Sequence, residues 1–579
     1  MAINILVYNG KTGIAFSKVL TNVRKTDTIK LFMNAILYNK EVFMKKLSAR
    51  NKKHIERTVA NNRSYKLYLY NRLFIILLLI AAQVLVYVFF TYLFVRDSRW
   101  GVIAQMVVGI LEILFLLRIL NDVERPSMKL SWIILILIAP IIGVPTYLLY
   151  GDGRPTRKMN RKLEKAKAEN EKIFQKSYGV SQRINNENRS DGVCRYLRNS
   201  ANYPLYTRGE VAYYSCGERA FPVILEELKR AEKFILLDYF IVEHGKFWNS
   251  ILQILLEKAE LGVQVRIIYD DFGCITTLPP RYDEYLEGLH KNIRCMAFNA
   301  VIPIVAVRMN NRDHRKIMVI DGKVGFTGGV NLADEYVAEK VKYGYWKDSV
   351  IRIKGEAVNS MTKMFFDFWN AFRTDKEDLG KYLFFPSKEG GRDALKDDAM
   401  RLQPYDDSPL DKISVGETVY LDIIHSAKTY AYIFTPYLIL DDQMRTALCL
   451  AAMRGVDVRI VVPGVPDKKI VYRLTRANYE ILLRAGVKIY EYTPGFLHAK
   501  SIVSDDECAV VGTINFDYRS FYHHFENAVY FANCDAVMDV KRDCEETFVL
   551  SKLCEKGYPK RSLIGKSVDA VLRVFETLF

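Results

Sequence analysis

The sequence predicts an α/β protein of two similar halves related by a pseudo-twofold axis and preceded by N-terminal transmembrane helices. Three observations predict it. The stretch His314 to Asn331, HRKIMVIDGKVGFTGGVN, recurs as HAKSIVSDDECAVVGTIN from His498 to Asn515. Upstream of each copy and in the same order, FILLDYFIV from Phe234 matches YIFTPYLIL from Tyr432, and LGVQVRIIYDD from Leu261 matches RGVDVRIVVPG from Arg454. Ahead of both halves lie three apolar runs between Leu73 and Tyr150. Strand and helix alternation that occurs twice implies two sheet-bearing units with the chemistry at their junction.

The chain opens on a basic head, residues 1–72, with fifteen Lys and Arg against three acidic residues, which reads as a solvated arm or a binder of anionic lipid. Residues 73–150 form the transmembrane region. Leu73–Val95 carries no charge and is long enough to span a bilayer; Val102–Leu120 contains Gln105, Glu112 and Arg118; Ser131–Tyr150 is broken by Pro140, Gly143 and Pro145. Glu112 would be costly facing lipid and is expected against a neighbouring helix or near an interface. The basic run from Gly153 places the following residues in the cytoplasm by the positive-inside rule. Three crossings would then put the equally basic head outside, so one segment is re-entrant, the first does not span, or the rule fails for this head. Residues 151–195 are a charged, helix-prone linker; 196–375 are the first half, 376–412 a polar linker, and 413–579 the second half. The last stretch places Ile564, Val568, Val571, Leu572, Phe575, Leu578 and Phe579 at helical spacing, an amphipathic helix for the second half or the bilayer interface.

At 579 residues and half hydrophobic, the chain can bury a sizeable core, and its formal charge of +17 points to an anionic partner, nucleic acid or acidic lipid. Nine scattered cysteines without a CxxC argue against a zinc site or a disulfide framework.

Both repeated stretches read HxKxxxxD followed after six residues by Gly, a small residue, any residue and Asn. The short runs KIMVID and KSIVSD read as buried strands, on which His314 and Lys316, and likewise His498 and Lys500, share a face. Two imidazoles, two ammonium groups and the amides of Asn331 and Asn515 make a pocket suited to a phosphodiester. One His attacks phosphorus while the other, protonated, serves the leaving alkoxide, and lysines and amides neutralise the free oxygens, so the chemistry calls for no metal or cofactor.

These motifs resemble those of the phospholipase D superfamily over roughly residues 200–579. The apolar segments, with LLRIL, RPSMKLSW and PIIGVPTYLLYG, and the DEY of Asp334–Tyr336 resemble its bacterial cardiolipin synthases more narrowly. The resemblance implies two phospholipase D-like halves. It implies that His314 is the nucleophile and His498 the acid and base, that Asp321 and Asp505 serve structural hydrogen bonding, and that Asp348 and Glu526, downstream of the motifs, orient the imidazoles. At Gly329, with Thr513 opposite, many superfamily members have Ser. The implied reaction transfers a phosphatidyl group between two phosphatidylglycerol molecules to give cardiolipin and glycerol, in a multi-pass protein of the bacterial plasma membrane with its catalytic region in the cytoplasm. Anionic lipid is then the partner and nucleic acid is not expected. The alternatives are a membrane phospholipase D hydrolase, a transferase to another alcohol, and, less favoured, a tethered nuclease.

Overall fold

The computed structural model describes residues 5–9, 13–17, 85, 88–89, 92, 99–122, 126–151, 157–178, 192–299, 311–385, 400–410, 413–554, 563–574 and 576–578. Of the basic head only a hairpin of β1 (Ile5–Asn9) and β2 (Gly13–Ser17) is described. Most of the first apolar segment, Leu73–Val95, and residues 386–399 and 411–412 of the expected linker lie outside the described residues.

Two mixed sheets of matching topology carry the halves. The first sheet takes the order β3 (Glu210–Tyr214), β11 (Val350–Lys354), β9 (Val324–Gly328), β8 (Lys316–Ile320), β4 (Phe234–Tyr239), β5 (Gln264–Asp270) and β6 (Ile293–Phe298). The second repeats it as β12 (Arg401–Asp407), β19 (His524–Ala532), β18 (Cys508–Gly512), β17 (Ser501–Ser504), β13 (Tyr430–Phe434), β14 (Asp457–Pro463) and β15 (Lys488–Tyr492), with β20 (Ser551–Leu553) added at the edge. In each, β4–β5–β6 or β13–β14–β15 run parallel and the remaining ladders are antiparallel. The expected two-halved α/β fold is therefore present.

Local chemistry explains the repeat. The helices Lys246–Glu260 and Asp442–Met453 each end just before a glycine in the left-handed region, Gly262 (φ 96°) and Gly455 (φ 94°), which is why LGV and RGV recur ahead of β5 and β14. Helix Lys246–Glu260 buries Phe247, Trp248, Ile251, Leu252 and Leu255 along one stripe, and the Asp334 carboxylate of the DEY motif accepts from the Lys246 and Phe247 amides at its N-terminus, both at 2.9 Å. One apolar cluster fills the outer side of each sheet. A third, built on Ile353, Phe365, Phe368, Val503, Val511 and Val529, is shared between the halves and welds them face to face.

Outside the halves, the helix Arg157–Tyr178 is not a free spacer. It sets Met159, Leu163, Ala166 and Phe174 into the shared core, and the Asn170 amide donates to Asp367 at 2.8 Å. The expected second apolar segment is one helix, Arg99–Asn121; the third is cut into Pro126–Ile138 and Pro140–Thr146, because Pro140 has no N–H to continue the ladder and instead opens the new helix. Among the described residues no helix is long and apolar enough to cross a membrane, so the expectation of a multi-pass protein is not met there.

Candidate active site

Two short ladders between the halves build the site. Strand β10 (Tyr345–Lys347) pairs in parallel with β16 (Gly495–Leu497), and β7 (Arg312–Asp313) pairs in parallel with the start of β19. They are pseudo-twofold mates: each delivers a motif histidine from one half beside a carboxylate from the other. The His314 amide donates to the Phe525 carbonyl at 2.9 Å, and the His498 amide to the Lys347 carbonyl at 2.7 Å.

The carboxylates consequently cross over. His314 Nδ1 lies 2.8 Å from Glu526 Oε2, and His498 Nδ1 lies 2.6 Å from Asp348 Oδ2. Each acidic residue downstream of a motif thus serves the histidine of the opposite motif. An acceptor on Nδ1 holds the proton there and leaves the Nε2 lone pair for chemistry. Their settings differ. The Thr513 hydroxyl donates to Glu526 Oε2, whereas Asp348 takes the Ser349 amide at 2.8 Å, and a Cβ on Gly329 would stand 2.0 Å from Asp348 Oδ1.

Lys316 and Lys500 are buried beside their histidines and donate to the carbonyls of His314 and His498. Burial lowers the Lys316 amine to about 8 and the Lys500 amine to about 7, with Glu526 and Asp348 respectively opposing the shift most. Burial, reinforced by these lysines, holds both imidazoles well below the ordinary histidine value, and it pushes the Asp348 carboxyl up to about 7. The resting pocket therefore keeps neutral imidazoles among charges that nearly cancel.

Asp321 and Asp505 sit away from the imidazoles, at the far ends of β8 and β17. Each accepts three backbone N–H groups at 2.8–2.9 Å, from residues 232–234 and 428–430, in a left-handed turn with φ of 54° and 55°. Their work is to pin each motif strand to its neighbour. Asn331 is buried and engaged: Oδ1 accepts from the Ile241 amide at 3.1 Å and Nδ2 donates to the Tyr336 hydroxyl at 2.7 Å. Asn515 is buried, and among the described residues its Oδ1 has no hydrogen-bond partner. Tyr336 also packs edge-on to His498, with ring centroids 5.5 Å apart.

Three side chains here were not picked out as site residues. Asn527 ties the halves, its Oδ1 accepting from the Lys316 amide at 3.1 Å and its Nδ2 donating to Thr327 at 2.9 Å. Arg315 fills the junction with ion pairs to Asp313 and Asp238 at 2.8 Å and lies over the Phe368 ring at 3.6 Å. His524 stands 5.6 Å from His314 between ring centroids, and burial pulls it down to about 3. The doubled His before FE in SFYHHFEN was the one available signal for it. A separate cavity of about 330 Å³, lined by Lys167, Glu171, Lys363 and Asp406, reaches neither motif histidine.

Comparisons with known proteins agree with this geometry. The family model described as "Cardiolipin synthase, PLD-like domain" matches residues 224–369 and 420–548, and "Phospholipase_D-nuclease N-terminal" matches 110–151. A cardiolipin synthase of Alkalihalophilus pseudofirmus is 34% identical over 76% of this chain and 88% of its own. One of Staphylococcus aureus is 32% identical over 81% and 95%, and an uncharacterized protein of Streptococcus mutans is 42% identical over 78% and 96%. Phosphatidylserine synthase of Haemophilus influenzae shares the fold, with a TM-score of 0.50 at 15% identity, over 67% of this chain and 100% of that one. With two motif histidines seated on exchanged carboxylates and relatives aligned along most of its length, the chain belongs to the phospholipase D-like cardiolipin synthase family.

Proposed function

We propose that the protein is a cardiolipin synthase that joins two phosphatidylglycerol molecules. The observation that carries this reading is the pair of buried histidines, each held at Nδ1 by a carboxylate of the other half. His314 attacks the phosphorus of the first phosphatidylglycerol through Nε2, glycerol leaves with a proton from His498, and a phosphatidyl-histidine results. The terminal hydroxyl of a second phosphatidylglycerol, deprotonated by His498, displaces His314 and yields cardiolipin. Phosphodiester count is unchanged across the cycle, so no nucleotide drives it.

The electrostatics support the order of events. Two ammonium groups face two carboxylates in the resting pocket, and an arriving phosphodiester adds one negative charge that a proton on His498 balances. Lys316, Lys500 and Asn515 then take the non-bridging oxygens, while Asn331 acts through its hold on Tyr336. Asp348 and Glu526 orient the imidazoles, and Asp321 and Asp505 secure the strands.

We further propose the division into head, membrane region, linker and two halves that the sequence suggests, with β12 (Arg401–Asp407) counted in the second half, and phospholipid as substrate. Bilayer attachment through the N-terminal apolar region is supported by helix Arg99–Asn121, which exposes Val102, Ile103, Met106, Val107, Ile110, Ile113, Leu114 and Leu117 along one broad face. The bacterial plasma membrane, with the catalytic halves on the cytoplasmic side, fits this arrangement and the basic residues after Gly153.

The test is lipid product analysis with purified protein in phosphatidylglycerol vesicles containing chelator and no nucleotide. Cardiolipin with one glycerol released per product is the expected result; phosphatidic acid instead would replace the synthase reading with a hydrolase. His314→Ala and His498→Ala are each expected to abolish turnover, and near-normal activity in either would sink the mechanism.

A further inference from the structure

His524 is a buried polar group that the transfer mechanism does not use. Both ring nitrogens are shielded from solvent and have no hydrogen-bond partner among the described residues, a cost to the folded protein that calls for an explanation. Its place supplies one. Its Nδ1 lies 3.8 Å from Glu526 Oε1, too far for a hydrogen bond, on the side of that carboxylate away from the Thr513 hydroxyl's oxygen. Glu526 Oε1 is itself 2.9 Å from His314 Nδ1. Taking one ligand atom from each of His314, His524 and Glu526, all three lie within 4.8 Å of one another.

A tetrahedral ion with bonds of about 2.1 Å holds its ligands about 3.4 Å apart. Observed separations of 2.9 and 3.8 Å bracket that value, so small side-chain shifts convert the trio into a three-ligand centre. Two imidazoles and a carboxylate form the donor set that suits zinc-class transition ions, whereas magnesium and calcium prefer oxygen alone.

We propose that His314, His524 and Glu526 form a transition-metal site that switches the catalytic centre off. The chemistry is a change of tautomer. In the working site the proton sits on His314 Nδ1, facing Glu526, and the lone pair on Nε2 is the nucleophile. An ion bound at Nδ1 takes the place of that proton, which moves to Nε2; the ring stays neutral, Glu526 becomes a ligand, and no lone pair remains to attack phosphorus. Nothing is oxidised or reduced, and removing the ion restores the starting tautomer. His524 makes the difference between two ligands, which hold such ions weakly, and three.

The experiment uses the full-length protein. Zinc binding is measured by equilibrium dialysis in detergent without lipid, and turnover in phosphatidylglycerol vesicles with zinc, with magnesium, and with zinc followed by chelator. The wild type is expected to bind one zinc per chain and to lose at least about tenfold of its turnover at micromolar zinc, with full recovery on chelation and no response to magnesium. His524→Gln and His524→Phe are each compared with their own zinc-free rate, so a change in basal activity does not enter. Both are expected to lose the bound zinc and the inhibition. Inhibition of the same depth in both variants, or a wild type that binds no zinc, overturns the site. The dialysis result stands whichever lipid product the enzyme forms, so failure of the synthase reading and failure of the metal site are told apart.

Discussion

At the scale of single residues, the two histidines are not equivalent although their motifs are. The Thr513 hydroxyl supports Glu526, while Gly329, its counterpart, leaves room that Asp348 fills. Thr513→Val is expected to lower kcat about tenfold, the weight of one hydrogen bond to a charged group (~1.4 kcal/mol), with KM little changed. Gly329→Ser drives a Cβ into the Asp348 carboxylate and is expected to cost more, through loss of the 2.6 Å contact to His498; steady-state kinetics of both variants checks the ranking. Arg315→Met is expected to destabilise by about 3–5 kcal/mol, because Asp313 and Asp238 would stay buried without their cation, as a denaturant titration would record. The motif residues were legible in the sequence because His, Lys and Asn at fixed spacing announce phosphoryl chemistry by residue type alone. His524 and Asn527 were not, since their roles come from what stands across the junction, of which the doubled His of SFYHHFEN is at most a local trace.

At the scale of elements, the exchange of carboxylates is a consequence of β7 lying on β19 and β10 on β16. Strand periodicity could predict each strand, yet pairing between segments as far apart as Tyr345 and Gly495 or Arg312 and His524 depends on the final docking of the sheets. The duplicated strands themselves were readable, because buried parallel strands leave continuous apolar runs and the glycines after each helix recur. The C-terminal helix shows the opposite balance. Its apolar spacing announced a helix, Leu563–Val574, and the structure adds its neighbours: Leu572 packs by Leu474, Arg473 pairs with Asp569 at 2.6 Å, and Thr577 meets Ser131 of helix Pro126–Ile138 at 3.1 Å. It is a strut between the second half and the N-terminal helices. Arg473→Ala is expected to loosen it, exposing the helix Leu563–Val574 to limited proteolysis while lowering global stability by only about 0.5–1 kcal/mol, since the pair is partly solvated.

At the scale of the whole molecule, the site is charged in one narrow pH window. Lys500 loses its proton as pH rises through about 7 and Lys316 through about 8, so the attraction for a phosphodiester weakens on the alkaline side. Asp348 gains a proton as pH falls through about 7, which removes the carboxylate that orients His498 on the acid side. A pH profile of kcat/KM is expected to be a narrow bell with its maximum near about 7, and Asp348→Asn to flatten its acid limb along with lowering its height. Fold class was readable at this scale from duplication, whereas the sequence-level expectation of several membrane crossings met a chain whose third apolar segment is broken at Pro140. The crossing of the carboxylates also bears on biosynthesis. The first half leaves the ribosome with His314 but without Glu526, and with Asp348 but without the histidine it serves. A nascent chain is therefore inert toward the phospholipids around it, and reactivity arrives only when the last strands have been made and docked.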